Sequence, residues 1–229
     1  MAPRVSVLLT TYNRPGMLAE AVESVMAQTF TDFELIILDD NSPDPAQHEV
    51  LLRYWNHPQV RMYKDNVQAA DRAARVRYAV LANIGLALAA GHYITYLCDD
   101  DLYLPARLAL MTARLDQGDC QVVYGSQKLV RDGQDAGASM TRGILEDAWW
   151  IVDHSSVMHT RAAALAVGGW DEDPQYWRHA DAAFWRRLTG AGYSELSAAV
   201  ALDAAKGPEL SVTLVKVIVA IGFDFWRDE

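Results

Sequence analysis

Three carboxylates in a row, Asp99, Asp100 and Asp101, follow the apolar run Tyr93-Ile94-Thr95-Tyr96-Leu97-Cys98. A short apolar run rich in aromatic and β-branched residues reads as a buried strand. A strand that ends in acids delivers them to the edge where an open α/β sheet takes its ligands. Like charges about 5 Å apart cost about 3 kcal/mol per pair at an effective dielectric near 20, so the cluster calls for a counterion. Oxygen-only donors suit Mg²⁺ or Mn²⁺. Taken alone, the triplet also reads as a solvated acidic turn. What separates the two readings is whether other polar groups gather at the same edge.

Two further segments end in the same way. Thr10-Thr11-Tyr12-Asn13 follows the apolar run Val5-Ser6-Val7-Leu8-Leu9, and Asp39-Asp40 follows Glu34-Leu35-Ile36-Ile37-Leu38. In a parallel sheet these ends converge. A carboxylate such as Asp40 accepts the N3–H of uracil or thymine and is refused by cytosine, which presents an acceptor there. Guanine also offers donors to a carboxylate, and Asp40 equally suits an Asx turn before the breaker-rich Asn41-Ser42-Pro43-Asp44-Pro45. Tyr12 can stack on a base or pack within its turn. Arg72, Arg75 and Arg77 form the densest cationic cluster of the chain, and guanidinium groups favour bidentate phosphate contacts. The alternative is a solvated helix face, with Arg75 its first member.

The elements that must position these groups alternate along the first half. Strands are expected over 5–9, 34–38, 60–63 and 93–98. Between them lie a helix begun by Asn13 and Pro15 with Leu18, Val22, Val25 and Met26 on one face, a helix through Leu51 and Trp55, and a long Ala-rich helix ending at Gly91. Near-continuous apolar strands alternating with helices imply a parallel sheet covered on both faces. The second half differs. Pro105 opens a helix through Leu108, Met111 and Leu115, a hairpin is expected over 122–130 around Gly125, and a polar, Gly-containing loop over 131–141. The apolar stretch 210–223, interrupted by Lys216, is too short to span a bilayer and reads as a buried element or a partner-facing helix. Six of the seven tryptophans lie in this half; most read as core, while the adjacent Trp149 and Trp150 are candidates for lining a pocket. The change of pattern near Asp101 divides one fold into halves, 1–101 and 102–229.

Composition excludes several classes. The 229 residues are 51% hydrophobic, enough for a substantial core. A formal charge of −10 argues against nucleic acid and anionic membrane surfaces, both of which need clustered Lys and Arg. Cys98 and Cys120 have neither metal spacing nor a disulfide framework. No signal-peptide pattern precedes the first strand, so a cytoplasmic setting is expected. A sugar nucleotidyltransferase or a dinucleotide-dependent oxidoreductase would carry a Gly-rich loop after its first strand, and Thr10-Thr11-Tyr12-Asn13-Arg14-Pro15 has no glycine.

The string 5–15, the turn Asp39-Asp40-Asn41-Ser42, the segment 97–105 and Gly168-Gly169-Trp170-Asp171-Glu172 resemble the family 2 inverting glycosyltransferases of GT-A fold. The likeness is nearest to the spore-coat polysaccharide type, through Phe33-Glu34-Leu35, Tyr93-Ile94-Thr95-Tyr96 and Asp153-His154-Ser155-Ser156-Val157-Met158-His159. The resemblance implies a Rossmann-like, mostly parallel central sheet with helices on both faces and a smaller acceptor-side hairpin and loop region. It also implies a nucleotide-diphosphate sugar donor, UDP or dTDP favoured, bound by residues 1–101, and a Mg²⁺ or Mn²⁺ ion on the diphosphate. The acceptor, a saccharide or small-molecule hydroxyl, falls to residues 102–229, and a homodimer is allowed.

By that likeness Thr10, Tyr12 and Asp40 hold the base and Asp99 the ribose. Asp100 ligates the metal with Asp101 as a second candidate, and Arg72, with Arg77 near it, serves the base or phosphates. Inversion needs a base opposite the departing diphosphate to take the acceptor proton. Asp181, in His179-Ala180-Asp181-Ala182, matches the family's base position and also suits a helix N-terminus; Asp153 is the second candidate. The chain departs from the family pattern at Cys98, where many relatives carry Asp, and at Ala180, where a Glu is common. Those departures keep a catalytically silent nucleotide-sugar-binding module as the alternative to an enzyme.

Overall fold

Strand β1 (Val5–Thr11) is buried along its whole length, as a strand covered by helices on both faces must be. The computed structural model describes residues 2–131, 134–139, 152–193, 195–197 and 212–218. After β1 come α1 (Pro15–Met26), β2 (Phe33–Asp39), α2 (Pro45–Tyr54) and β3 (Val60–Lys64). A 3₁₀ turn over Ala69–Ala74 leads into α3 (Arg77–Leu88) and then β4 (Tyr93–Cys98). Pro15 and Pro45 open their helices at the first turn, where the missing N–H costs nothing. The Ala-rich stretch is thus a helix only to Leu88, followed by the non-helical Ala89 and a close approach at Gly91. A Cβ on Gly91 would stand 2.5 Å from the backbone nitrogen of Ser6, so only glycine lets this turn reach the sheet.

The second half supplies β5 (Asp101–Tyr103), α4 (Arg107–Leu115), β6 (Val122–Tyr124), β7 (Ser126–Arg131), β8 (Gln134–Ser139) and β9 (Val157–Thr160). It continues with α5 (Arg161–Ala166), α6 (Ala180–Gly190), β10 (Glu195–Ser197) and β11 (Val212–Ile218). A seven-stranded sheet runs β10-β6-β9-β4-β1-β2-β3, and a four-stranded sheet runs β5-β11-β7-β8. In the larger sheet only β9 is antiparallel to its neighbours. Helices α1, α2 and α4 pack on one face through Leu18, Val22, Leu51, Leu108 and Met111, against Val7 and Leu9. On the other face α3, α5 and α6 pack through Leu81, Ala163, Phe184 and Trp185, against Leu8 and Ile36. Alternation along β1 sends odd-numbered residues one way and Leu8 the other.

Three expectations change here. Gly125 is not a hairpin turn: β6 and β7 belong to different sheets, and the antiparallel partner of β7 is β8. Residues 134–139 form that strand rather than a loop. Within the apolar stretch near the C-terminus, Val212–Ile218 form strand β11 rather than a helix, antiparallel to β5 and parallel to β7; Val212, Thr213, Val215, Val217 and Ile218 are β-branched and favour a strand. Trp149 and Trp150 lie outside the described residues. Among the described residues, no helix is long and apolar enough to cross a membrane.

Candidate active site

The carboxyl ends of β4, β1, β2 and β3 are level. Cys98 pairs with Thr10, Thr10 with Leu38, and Leu38 with Tyr63. The chain leaves β1 toward β2 on one side and re-enters at β4 on the other, so the loops after β1 and β4 diverge at a topological switch point. Asp99, Asp100, Thr10–Arg14 and Asp40 all follow directly from this edge.

Thr11 Oγ1 donates to Asp99 Oδ2 at 2.7 Å, the Tyr12 amide adds a contact of 3.3 Å, and Gln47 Nε2 donates to Thr11 Oγ1 at 2.7 Å. One guanidinium nitrogen of Arg14 reaches both acids, Asp99 Oδ1 at 3.2 Å and Asp100 Oδ2 at 3.0 Å. Burial pushes the Asp99 carboxyl up to about 7, against the opposing pull of Arg14. Asp100 is the most exposed of the three, at 30% of its side chain, and it is the carboxylate that could hold a metal. Asp101 is withdrawn from that set. It opens β5 with its side chain wholly buried, where its charge acts on the buried Arg107. Thr10 lies beneath the same edge with Oγ1 3.8 Å from Cys98 Sγ.

Asp40 is fully buried between two arginines. Arg72 donates to its Oδ2 at 2.7 Å and to its carbonyl at 2.8 Å, and Arg77 donates to its Oδ1 through Nε at 3.0 Å and Nη2 at 2.5 Å. Arg77 also pairs with Asp65. The Arg72 guanidinium lies 3.7 Å from the centroid of the Tyr12 ring, a cation–π contact that builds Tyr12, Arg72 and Asp40 into one wall. The cationic cluster is therefore drawn inward. Arg75 alone of the three is exposed, and it pairs with Glu172 at 3.0 Å.

The second half of the chain reaches this edge through Tyr78. Its hydroxyl accepts from the Ala180 amide at 3.1 Å, and so supplies the cap that His179, the residue before α6, does not. Asp181 sits in the first turn of α6, where the helix dipole favours a carboxylate. Burial, and secondarily the Asp181 charge, drives the Tyr78 phenol far above its usual range. The Tyr78 ring stacks on His154 at 5.6 Å with planes 13° apart, and His154 Nε2 lies 3.1 Å from Cys98 Sγ. Asp153 is occupied as a cap: its Oδ1 accepts from the Ser155 amide at 2.9 Å and stands 3.7 Å from His154 Nδ1.

The structure thus brings Thr10, Tyr12, Asp40, Arg72, Arg77, Asp99 and Asp100 together and links Asp181 to them through Tyr78, His154 and Cys98. Sequence reasoning missed Arg14, Gln47 and Tyr78. Arg14 stands inside the quoted string 5–15, and its charge beside two strand-end acids was the available signal. Tyr78 gave none, because its partner is 102 residues away.

The open, mostly parallel sheet with acids at its switch point is an α/β fold of GT-A type. The glycosyl transferase family 2 pattern matches residues 6–168, and the chain belongs to that family. It is 38% identical over 200 residues to protein CgeD of Bacillus subtilis, across 82% of this chain and 46% of that protein, so it spans about half the length of that relative. Among solved structures, Staphylococcus aureus TarS 1–349 in complex with UDP-GlcNAc superposes with a TM-score of 0.69 at 17% identity, covering 94% of this chain and 58% of that one. The mannosyltransferase PcManGT from Pyrobaculum calidifontis, in complex with GDP-Man and Mn²⁺, gives 0.61 at 18% identity, covering 99% and 59%.

Proposed function

We propose that the chain moves a sugar from a nucleoside-diphosphate donor, UDP- or dTDP-linked, to an acceptor hydroxyl with inversion at the anomeric carbon. The observation that carries this reading is the level row of strand ends, with Asp99 and Asp100 beside the Tyr12–Arg72–Asp40 wall. Neighbours of the same fold that hold UDP-GlcNAc, or GDP-Man with Mn²⁺, support a nucleotide-sugar ligand. Thr10, Tyr12, Asp40 and Arg72 serve the base, with Arg77 holding Asp40 in place. Asp40 is fully buried and both its oxygens accept guanidinium N–H groups, so a uracil or thymine N3–H reaches the carboxylate by displacing an Arg72 N–H. Asp99, backed by Thr11 and Gln47, is oriented for a ribose hydroxyl.

The donor set at Asp100 fits Mg²⁺ or Mn²⁺. Among the described residues no group of three or more His, Cys, Asp or Glu side chains converges on a metal by itself, and these two ions are characteristically held by one or two carboxylates with phosphate oxygens completing the shell. When bound, such an ion supplies Lewis-acid charge to the departing diphosphate. Asp181 takes the proton of the attacking hydroxyl, and Tyr78 fixes the helix turn from which it works. Asp181 is preferred to Asp153 because its position matches the family's base; each carboxylate already accepts one backbone amide, Asp181 from Ala182 at 2.8 Å and Asp153 from Ser155 at 2.9 Å. The acceptor is a saccharide or small-molecule hydroxyl, and the two reduced thiols fit a cytoplasmic setting.

The test is a thermal-shift and calorimetric titration of UDP, dTDP and GDP with and without Mn²⁺. The first two are expected to raise the melting temperature most when Mn²⁺ is present. If no nucleotide changes it under either condition, the reading fails.

A further inference from the structure

The loop after β1 is pinned at its root by hydrogen bonds and carries the Arg14 guanidinium. Asn13 adopts φ 52°, its amide donates to Ser42 Oγ at 2.8 Å, and its Oδ1 accepts from the Asp44 amide at 3.2 Å. The Arg14 amide donates to Gln47 Oε1 at 3.1 Å. The backbone under Arg14 is thereby fixed, while its guanidinium bridges Asp99 and Asp100 with 21% of the side chain facing solvent. Asp99 retains only 6% exposure, so the approach from solvent to this pair of acids runs past Arg14 and Asp100.

We infer that Arg14 is a built-in competitor of the divalent cation and couples metal binding to donor binding. A guanidinium nitrogen 3.0 Å from Asp100 and 3.2 Å from Asp99 occupies the space beside Asp100 that a cation on that carboxylate would take. An ion arriving alone must displace it and leave the arginine without its two charge-assisted hydrogen bonds. An ion arriving with a nucleoside diphosphate brings anionic oxygens to which the displaced guanidinium can turn. Donor and metal then bind together more readily than either does separately, and the coupling is reciprocal. This inference rests on the metal-ligand reading of Asp100 in the proposed function and adds to it the coupling between ion and donor.

The experiment titrates Mn²⁺ by electron paramagnetic resonance and calorimetry, with and without UDP, against wild type, Arg14→Gln, Arg14→Met, Arg14→Lys and Asp100→Asn. Without nucleotide, the two neutral variants are expected to bind Mn²⁺ at least about tenfold more tightly than wild type, since a cation beside two carboxylates has been removed. Arg14→Lys, which keeps the charge, stays within about threefold of wild type. UDP raises the Mn²⁺ affinity of wild type by a larger factor than that of Arg14→Gln. Equal Mn²⁺ affinity in wild type and both neutral variants, with Asp100→Asn abolishing it, overturns the competition and leaves the metal reading standing. Absence of Mn²⁺ binding in every protein even with UDP removes the metal reading, and this inference with it. Having two neutral variants guards against one that does not fold, and both are checked by thermal melting.

Discussion

His159 is expected to make this protein lose stability in acid, in a pH window the structure defines. Its ring is wholly buried in strand β9, with Nδ1 2.9 Å from the Thr160 carbonyl and Nε2 2.9 Å from the Tyr96 hydroxyl. A carbonyl only accepts, so Nδ1 carries the hydrogen and Nε2 accepts from Tyr96, whose oxygen in turn accepts from Trp170 Nε1 at 3.0 Å. Burial holds the imidazole neutral and lowers its pKa from 6.5 to about 4. The unfolded chain therefore binds a proton between those values that the native chain refuses, and stability falls as pH drops from 6.5 toward 4. The shift corresponds to about 3 kcal/mol in full, of which about 2 to 3 kcal/mol is lost between pH 8 and pH 4.5. The raised Asp99 carboxyl acts in the opposite direction over the same range, so the imidazole is read by difference. Urea unfolding of wild type and His159→Gln at pH 8 and pH 4.5 measures it: wild type should lose about 2 to 3 kcal/mol more than the variant. Two pH profiles parallel to within about 0.5 kcal/mol would refute the buried neutral imidazole.

Three further outcomes follow from the site. Asp181→Asn should lower kcat by about 10²- to 10⁴-fold while UDP affinity, measured by calorimetry, stays within about threefold; full activity removes Asp181 from the role of base. Tyr78→Phe strips the acceptor from the Ala180 amide, so unfolding free energy should fall by about 1 to 2 kcal/mol, with kcat reduced and the donor KM unchanged. Asp40→Asn leaves Arg72 and Arg77 buried without their shared carboxylate, a loss of about 3 to 5 kcal/mol readable in denaturant unfolding.

Local chemistry and periodicity determined much of this protein. The four parallel strands before residue 99, the helices between them and the gathering of Thr10, Asp40 and Asp99 at one edge are all legible because apolar runs, prolines and acids act within a few residues of one another. The second half was less legible. Short strands such as Val122–Tyr124 and Val157–Thr160 owe their existence to partners far along the chain, and the same apolar string reads as strand or helix until those partners are known.

Tertiary structure alone decided how the charges pair. Asp99, Asp100 and Asp101 are chemically alike in sequence. Yet one is sunk against Thr11, one faces solvent beneath Arg14, and one is turned into the core by β5 pairing with a strand more than 100 residues later. The same holds for Arg72, Arg75 and Arg77, of which burial draws two onto Asp40. Electrostatic energy depends on distance and solvent exposure, and neither is a property of a residue's position in the chain.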